Sequence, residues 1–337
     1  MRLLWCWGVE PPEVFGSLRA EGIDIVPFAG TQTEFGHAVA DGDFQAVLVR
    51  RGLRIDRSVL AAATALNFIQ RAGRTTRTID TQACKNSGVG VAATAMHIDM
   101  AVAEHALALM LALQRQLIAA DRDVRSGDYQ RLGLTPEPTT ESTFATNWTQ
   151  LAPLPTLYRR RLGIVGLGEI GTALADRARA CGMDIVYHQR GPADVAVERR
   201  LDAKLVDLAE LAETADVVSL HLPHTERTEG LVDEAFLSRM RPDSILINVS
   251  RGALVDEEAL VRALRDRRIA GAGLDVYGRE PLPSDSALVS APNTILTPHI
   301  ASGTDIDLDI ARLHANLLAY RHGETVHDLV VPVTEDR

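Results

Sequence analysis

The chain is almost without lysine. Its 35 cationic side chains are arginines except for Lys85 and Lys204. A Schiff-base or phosphate-loop lysine would have to be one of those two, and neither sits in a suitable motif, so both chemistries are excluded. Cysteine is scarce as well: Cys6, Cys84 and Cys181 are widely separated, with no CxxC and no Cys/His metal spacing. That spacing argues against a disulfide framework, predicts no metal and leaves buried reduced thiols as the expectation. Positive charge is in deficit, the net charge being -10 at pH 7. Neither a phosphate backbone nor an anionic lipid attracts such a surface, so no nucleic-acid and no membrane partner is expected. Long apolar runs are missing too. The longest, 106–113, is far below spanning length. The LLWCW run after Met1-Arg2 is too brief for a signal peptide, which makes cytoplasmic the expected location. There is no repeat of fixed period and no low-complexity tract. With 337 residues, 46% of them apolar, the chain is globular and long enough for two domains.

The strongest signal is the stretch 161–190, RLGIVGLGEIGTALADRARACGMDIVYHQR. An apolar strand over 162–165 breaks into Gly166-Leu167-Gly168-Glu169-Ile170-Gly171. A helix with apolar Ile170, Leu174 and Ala178 follows, Gly182 stops it, and a second strand over 183–187 ends in His188-Gln189-Arg190. In a dinucleotide-binding turn Gly166 makes the bend, Gly168 lets backbone approach the pyrophosphate, and Gly171 lets helix and strand pack closely. The helix start, at Glu169 and Ile170, faces the phosphates with unpaired N–H groups and the positive dipole end. A bare GxGxxG is weak, but this one has the strand–turn–helix–strand context the motif requires; a flavodoxin-like turn that binds nothing is the alternative.

The end of the second strand chooses the cofactor. In NAD(H) sites an acid about 20 residues beyond the central glycine accepts from the adenosine ribose. Here that place holds His188, followed by Gln189 and Arg190. Arg190 is able to pair with a 2′-phosphate through its planar fork, so NADP(H) is favoured over NAD(H); a solvated loop cation is the plainer alternative.

Elsewhere apolar strand candidates alternate with helices. Strands are expected over 3–7, 23–28, 46–49, 66–69 and 89–92, with helices such as 12–20 and 57–65 between them. The alternation predicts a parallel sheet covered by helices, without a glycine fingerprint. A long helix is expected over 98–117, its apolar stripe strong enough to need burial on more than one side, between domains or against a second subunit. Segment 127–155, crowded with Pro, Thr and Ser, reads as a loop or arm in which Phe144 and Trp148 argue for packing. Beyond the glycine turn, strands are expected over 217–222, 244–249, 273–276 and 294–296. Ligands of open α/β sheets bind at the carboxyl ends of strands. That rule singles out Arg251 in INVSRGALVDEEAL, Asp275 and Glu280 in GAGLDVYGREPLP, and His299 in ILTPHIASGT.

Together with LNFIQRAG, VAEHALALMLAL, GIVGLGEIG, SLHLPHTERTEGLV and TPHIAS, these segments resemble, in this order and over nearly the whole length, the D-isomer-specific 2-hydroxyacid dehydrogenases, of a glyoxylate/hydroxypyruvate reductase-like, NADP-type kind. The resemblance implies an α/β fold of two domains with parallel sheets. A dinucleotide-binding Rossmann domain, 99–299, would be inserted into a flavodoxin-like substrate domain, 1–98 plus 300–337, in a homodimer. It places the substrate-binding arginine on Arg251, the acid partner on Glu280 and the catalytic histidine on His299. Asp275 would lie near the nicotinamide carboxamide, with capping of backbone groups as the alternative. Pro223 and Thr225 fall on the cofactor-lining loop, where His224 stands in a place usually held by an aliphatic residue.

The chemistry fits those roles. Arg251 is able to hold a substrate carboxylate and polarise the adjacent ketone. His299 supplies the proton that the ketone oxygen needs as it gains charge, with Glu280 orienting the ring. The substrate loop departs from the family, whose GxGxDNID-like pattern is here Gly73-Arg74-Thr75-Thr76-Arg77-Thr78-Ile79-Asp80. Arg74 and Arg77 put two positive charges where glycine-rich backbone and an acid are usual, which predicts a substrate with a second anionic group if they point inward. The expected function is therefore NADP(H)-preferring reduction of a small 2-oxo acid to a D-2-hydroxy acid. A dinucleotide-sensing corepressor on the same fold, or a formate or phosphite dehydrogenase relative, is the alternative.

Overall fold

The computed structural model describes residues 1–6, 16–50, 52–142, 144–303 and 306–333. The chain divides into two units, Met1–Asp99 with Gly303–Arg337, and Met100–Ser302. Each unit holds one sheet. In chain order the strands are β1 (Arg2–Cys6), β2 (Asp24–Pro27), β3 (Ala46–Val49), β4 (Phe68–Ala72), β5 (Gly90–Thr94), β6 (Arg161–Val165), β7 (Asp184–His188), β8 (Lys204–Leu205), β9 (Val217–Leu220), β10 (Ile245–Asn248), β11 (Gly271–Leu274), β12 (Thr294–Leu296) and β13 (Leu329–Val331).

The first sheet has the order β13-β5-β4-β3-β1-β2, parallel except for β13, which lies antiparallel on β5. Its parallel part is the flavodoxin-like order. Because side chains alternate across a strand, Leu4, Val47, Ile69 and Val91 enter a core with Phe35, Leu60 and Cys84. Their neighbours Leu3, Leu48, Phe68 and Ala92 enter another with Leu313 and Leu317 of the helix Ile306–His322. Burial on both faces is why these strands read as continuous apolar runs. The chain's last stretch is pinned by polar contacts. Asn316 exchanges hydrogen bonds with the backbone of His327 at 3.0 and 3.1 Å, and the buried Asp309 carboxylate accepts from the amides of His97 and Ile98.

The second sheet has the order β12-β11-β10-β9-β6-β7-β8, all parallel. Taken from β6, this is the doubly wound dinucleotide-binding order with a reversal between β6 and β9. Leu162, Ile164, Ile185 and Ile247 face Ala103, Ala106, Met110 and Leu174 on one side. Val165, Val186, Val218 and Leu246 face Leu211, Leu237, Leu260 and Leu264 on the other.

Several expected boundaries move. Trp7, the expected end of the first strand, and residues 12–15 of the first expected helix lie outside the described residues; Gly16–Ala20 is helical. The strand expected over 66–69 runs instead from Phe68 to Ala72. The helix expected over 57–65 ends at Ala62, and Asp56 caps it by accepting from the Ser58 and Val59 amides. The long helix His97–Gln114 lays its stripe on its own sheet through Ala103, Ala106, Leu109 and Met110. It stops before 117 because Gln116 takes a left-handed φ of 50°, after which Leu117–Ser126 forms a separate helix. Among the described residues of 127–155 there is one short 3-10 turn, Asp128–Leu132; Trp148 packs edge-on against Tyr129, while Phe144 stays 65% exposed. Among the described residues no helix is long and apolar enough to cross a membrane, and no cluster of His, Cys, Asp and Glu is grouped to hold a metal.

Candidate active site

The glycine turn follows from local sterics. Gly166 ends β6 at φ 101°, and a Cβ there would lie 2.8 Å from the His221 carbonyl oxygen. Both the conformation and the neighbouring strand end exclude a side chain. A Cβ on Gly171 would meet the Gly166 oxygen at 2.4 Å, so the helix Glu169–Ala180 sits directly on the turn. Gly168 differs, since a Cβ there would meet nothing within 4 Å. It caps the helix without a side-chain hydrogen bond, and the first amides of a helix have no partner within the helix itself. An open face at the central glycine, at the start of a helix, fits a dinucleotide pyrophosphate. Glu169 and Ile170 form the first turn, with Glu169 buried.

At the end of β7 the His188 Nδ1 pairs with the Val206 carbonyl at 3.1 Å, which makes that nitrogen the donor. Gln189 Nε2 donates to the Gly191 carbonyl at 2.8 Å. Arg190 is exposed and makes no hydrogen bond or ion pair among the described residues. The loop that carries it is held from beneath. The buried Tyr187 hydroxyl accepts from the Ala193 amide at 2.7 Å and donates to Glu198. After β9, Pro223 and Thr225 form a turn closed by Thr228, whose hydroxyl donates to the Pro223 carbonyl at 2.8 Å and accepts from the Thr225 amide at 2.8 Å. His224 lies 3.7 Å from Glu229.

Beyond β10, β11 and β12 the structure brings three of the expected residues to one end of the sheet. Asn248, buried at the end of β10, donates to the Arg251 carbonyl at 2.9 Å and accepts from the Ser250 amide at 3.1 Å. The Arg251 guanidinium itself is exposed, its Nη1 donating to the Ser250 carbonyl at 2.6 Å. Next to it Gly252 lies against the backbone of Tyr277, an approach that no side chain would permit. That contact packs the Arg251 loop against the loop leading to Glu280. Glu280 Oε1 accepts from the Tyr277 amide at 3.0 Å, and Oε2 meets His299 Nδ1 at 2.6 Å. Burial pushes the Glu280 carboxyl up, but the bonds from His299 and Tyr277 and the charges of His299 and Arg251 outweigh it, so the group sits below the ordinary glutamate value.

His299 has a left-handed φ of 54°, uncommon for a residue with a side chain. The turn is held by Asp275, whose fully buried carboxylate accepts from the amides of Ile300 at 3.0 Å and Ala301 at 2.8 Å and from the Thr297 hydroxyl at 2.6 Å. Asp275 thus performs the capping role weighed as its alternative. Gly73, at φ 133°, and the exposed Arg74 and Arg77 lie in the other unit, on the loop after β4.

Sequence reasoning did not single out Asn248, Gly252, Thr297, Tyr187 or His105. Asn248 had a signal, being a polar residue inside an apolar strand. His105 interrupts an apolar stripe in the same way; its Nε2 lies 3.0 Å from the Thr297 hydroxyl.

Residues 107–301 match the family model described as D-isomer specific 2-hydroxyacid dehydrogenase, NAD binding domain. A glyoxylate reductase of Thermococcus onnurineus is 38% identical over 291 residues, covering 86% of this chain and 83% of the relative. A D-3-phosphoglycerate dehydrogenase of Synechocystis is 34% identical over 292 residues, covering 86% of this chain and 46% of the relative. Among solved structures, a glyoxylate reductase from Paecilomyes thermophila matches with a TM-score of 0.60 at 28% identity, with 98% of each chain covered. With the fold, the glycine turn and these matches in agreement, the chain belongs to the D-isomer-specific 2-hydroxyacid dehydrogenase family, an oxidoreductase family with an NAD-binding Rossmann domain.

Proposed function

We propose that the protein reduces a small 2-oxo acid to a D-2-hydroxy acid, with NADP(H) preferred over NAD(H). The observation that carries the reaction is the His299–Glu280 pair, 2.6 Å apart at the carboxyl end of the sheet. An ionised Glu280 only accepts, so the His299 Nδ1 carries one proton, and in the imidazolium form that acts as the donor Nε2 carries the second and is turned to substrate. Arg251 pairs with the substrate carboxylate and draws charge from the ketone oxygen. When bound, the reduced nicotinamide supplies the hydride to C2. His299 delivers the proton from Nε2 to the oxygen of that carbon, while Glu280 keeps the ring in place. Asp275 serves the site through the turn that carries His299.

The cofactor preference is supported by Arg190, exposed and without a partner among the described residues, and by the absence of an acid at His188. Substrate selection is assigned to Gly73, Arg74 and Arg77, and the charge of the two arginines favours an oxo acid with a second anionic group. Homodimerisation is supported by exposed apolar side chains, Leu117, Ile118 and Val124 on one helix and Leu132, Leu134 and Phe144 after it.

Steady-state assays with both nicotinamides against glyoxylate, pyruvate, phenylpyruvate, oxaloacetate, 2-oxoglutarate, formate and phosphite test the proposal. His299→Gln is expected to lower kcat by roughly 10² to 10⁴ with NADPH binding intact. Arg190→Ala is expected to weaken NADPH alone, by about 1.5 to 3 kcal/mol, and Arg77→Ala to erase any preference for the dianions. Turnover of none of the oxo acids would refute the assignment, as would equal losses of both nicotinamides for the cofactor choice.

A further inference from the structure

We propose that His105 is a positioning residue for the His299 turn, acting through Thr297 and Asp275. The proposal rests on the assignment of His299 as proton donor. Donor counting fixes the chemistry. Thr297 has one hydroxyl proton, and it goes to Asp275 Oδ1 at 2.6 Å. The Thr297 oxygen must then accept from His105 Nε2 at 3.0 Å, so Nε2 carries a proton. The same Nε2 stands 3.5 Å from Asp275 Oδ1. His105 therefore presents one N–H to a hydroxyl and, at longer range, to a carboxylate that has no access to water.

That carboxylate holds a strained piece of backbone. Its two oxygens take the amides of Ile300 and Ala301, the residues that follow His299, and the His299 amide itself donates to the Thr297 carbonyl at 3.0 Å. The Tyr277 hydroxyl donates to the same carbonyl at 2.9 Å. A left-handed φ at a residue with a side chain persists only where its surroundings over-determine it. Without the imidazole, the Thr297 hydroxyl loses the donor that orients it from the helix side, and the buried Asp275 loses the N–H that stands 3.5 Å from it. His105 has no assigned contact with the reacting atoms, so its effect reaches catalysis by way of the turn.

The experiment compares His105→Leu, which removes the donor, with His105→Gln, which keeps an N–H, alone and in a His299→Gln background. It reads kcat for the 2-oxo acid, Kd for NADPH by fluorescence titration, and Tm. His105→Leu is expected to lower kcat roughly 10- to 100-fold, the scale of an ångström-level misplacement, with Kd for NADPH unchanged. His105→Gln should restore most of kcat, and His105→Leu should add no further loss where His299 is already replaced, as expected of residues acting in series. Should His105→Leu lose its fold, His105→Asn, polar but too short to reach Thr297, takes its place in the comparison. A His105→Leu enzyme with normal kcat beside a disabled His299→Gln enzyme would overturn this inference alone, as would fully additive losses. Normal turnover by His299→Gln would overturn the proton-donor assignment and the inference with it.

Discussion

Gly252→Ala is the sharpest perturbation of the site. A Cβ at this position would stand 1.8 Å from the Tyr277 carbonyl carbon, 2.0 Å from its oxygen and 2.4 Å from the Gly278 nitrogen. All three are backbone atoms, so no rotamer change relieves the clash. Ordinary contact begins at 3.4 Å, a shortfall of about 1.6 Å, and the loops must separate by a distance of that order. Overpacking of this kind costs about 1 to 3 kcal/mol of stability, less than the 5–15 kcal/mol that a domain typically has (roughly). The fold should survive. Catalysis should not, because one loop carries Arg251 and the other leads to Glu280, and misplacement by about 1 Å costs around 10²-fold. The expected outcome is a folded protein whose kcat/KM for the oxo acid falls about 10²-fold or more, while NADPH affinity, which the proposal places at the turn 166–171 and at Arg190, is little changed. Wild-type kcat/KM in a folded Gly252→Ala variant would refute the proposed placement of Arg251 and Glu280.

Gly168→Ala should behave in the opposite way: its methyl meets nothing within 4 Å, so Tm should hold while the Kd of both nicotinamides rises, and unchanged affinity would dismiss the pyrophosphate cradle. Glu280 has a folded value below the ordinary 4.5, so its contribution to stability is complete above 4.5 and is lost as pH falls through the lowered value. Urea titrations of wild type and Glu280→Gln should show a stability gap that narrows below pH 4.5; a gap that widens there would contradict the ion pair. Burial pushes the Cys6 thiol up to about 12, and burial with Asp80 nearby pushes Cys84 up to about 11. Iodoacetamide on the native protein at pH 8 should therefore label half-buried Cys181 first, and mass spectrometry showing Cys6 or Cys84 labelled as fast would count against their environments.

The sequence alone determined whatever is decided over short spans. The turn from Gly166 to Gly171 is legible because the strand, bend and helix that give the motif its context are consecutive in the chain, although the clearance at Gly166 is also set by the His221 strand end. The two sheets are legible for a related reason. Strands buried on both faces are apolar at most positions, and helices between them carry a stripe, so composition and period announce a parallel α/β architecture before any strand is paired. Arg251, Glu280 and His299 stood out as candidates because polar residues after apolar strands are conspicuous, and because the ends of parallel strands gather at one edge.

The tertiary structure decided the rest, and the common cause is sequence separation. The Asp309 carboxylate reaches the amides of His97 and Ile98 from more than 200 positions away, a contact no local pattern encodes. His105 reads as one polar interruption in an apolar helix until folding brings Thr297, 192 positions later, beside it. Asp275 stood out in the sequence with two possible employments, and only its complete burial and its bonds to Ile300 and Ala301 show that it caps the turn. Gly252 looked like a small residue after an arginine; its necessity exists only because the Tyr277 backbone passes within contact of it. Propensity and periodicity are properties of neighbours along the chain, whereas a buried carboxylate's donors and a glycine's clearance are properties of whatever the fold delivers next to them.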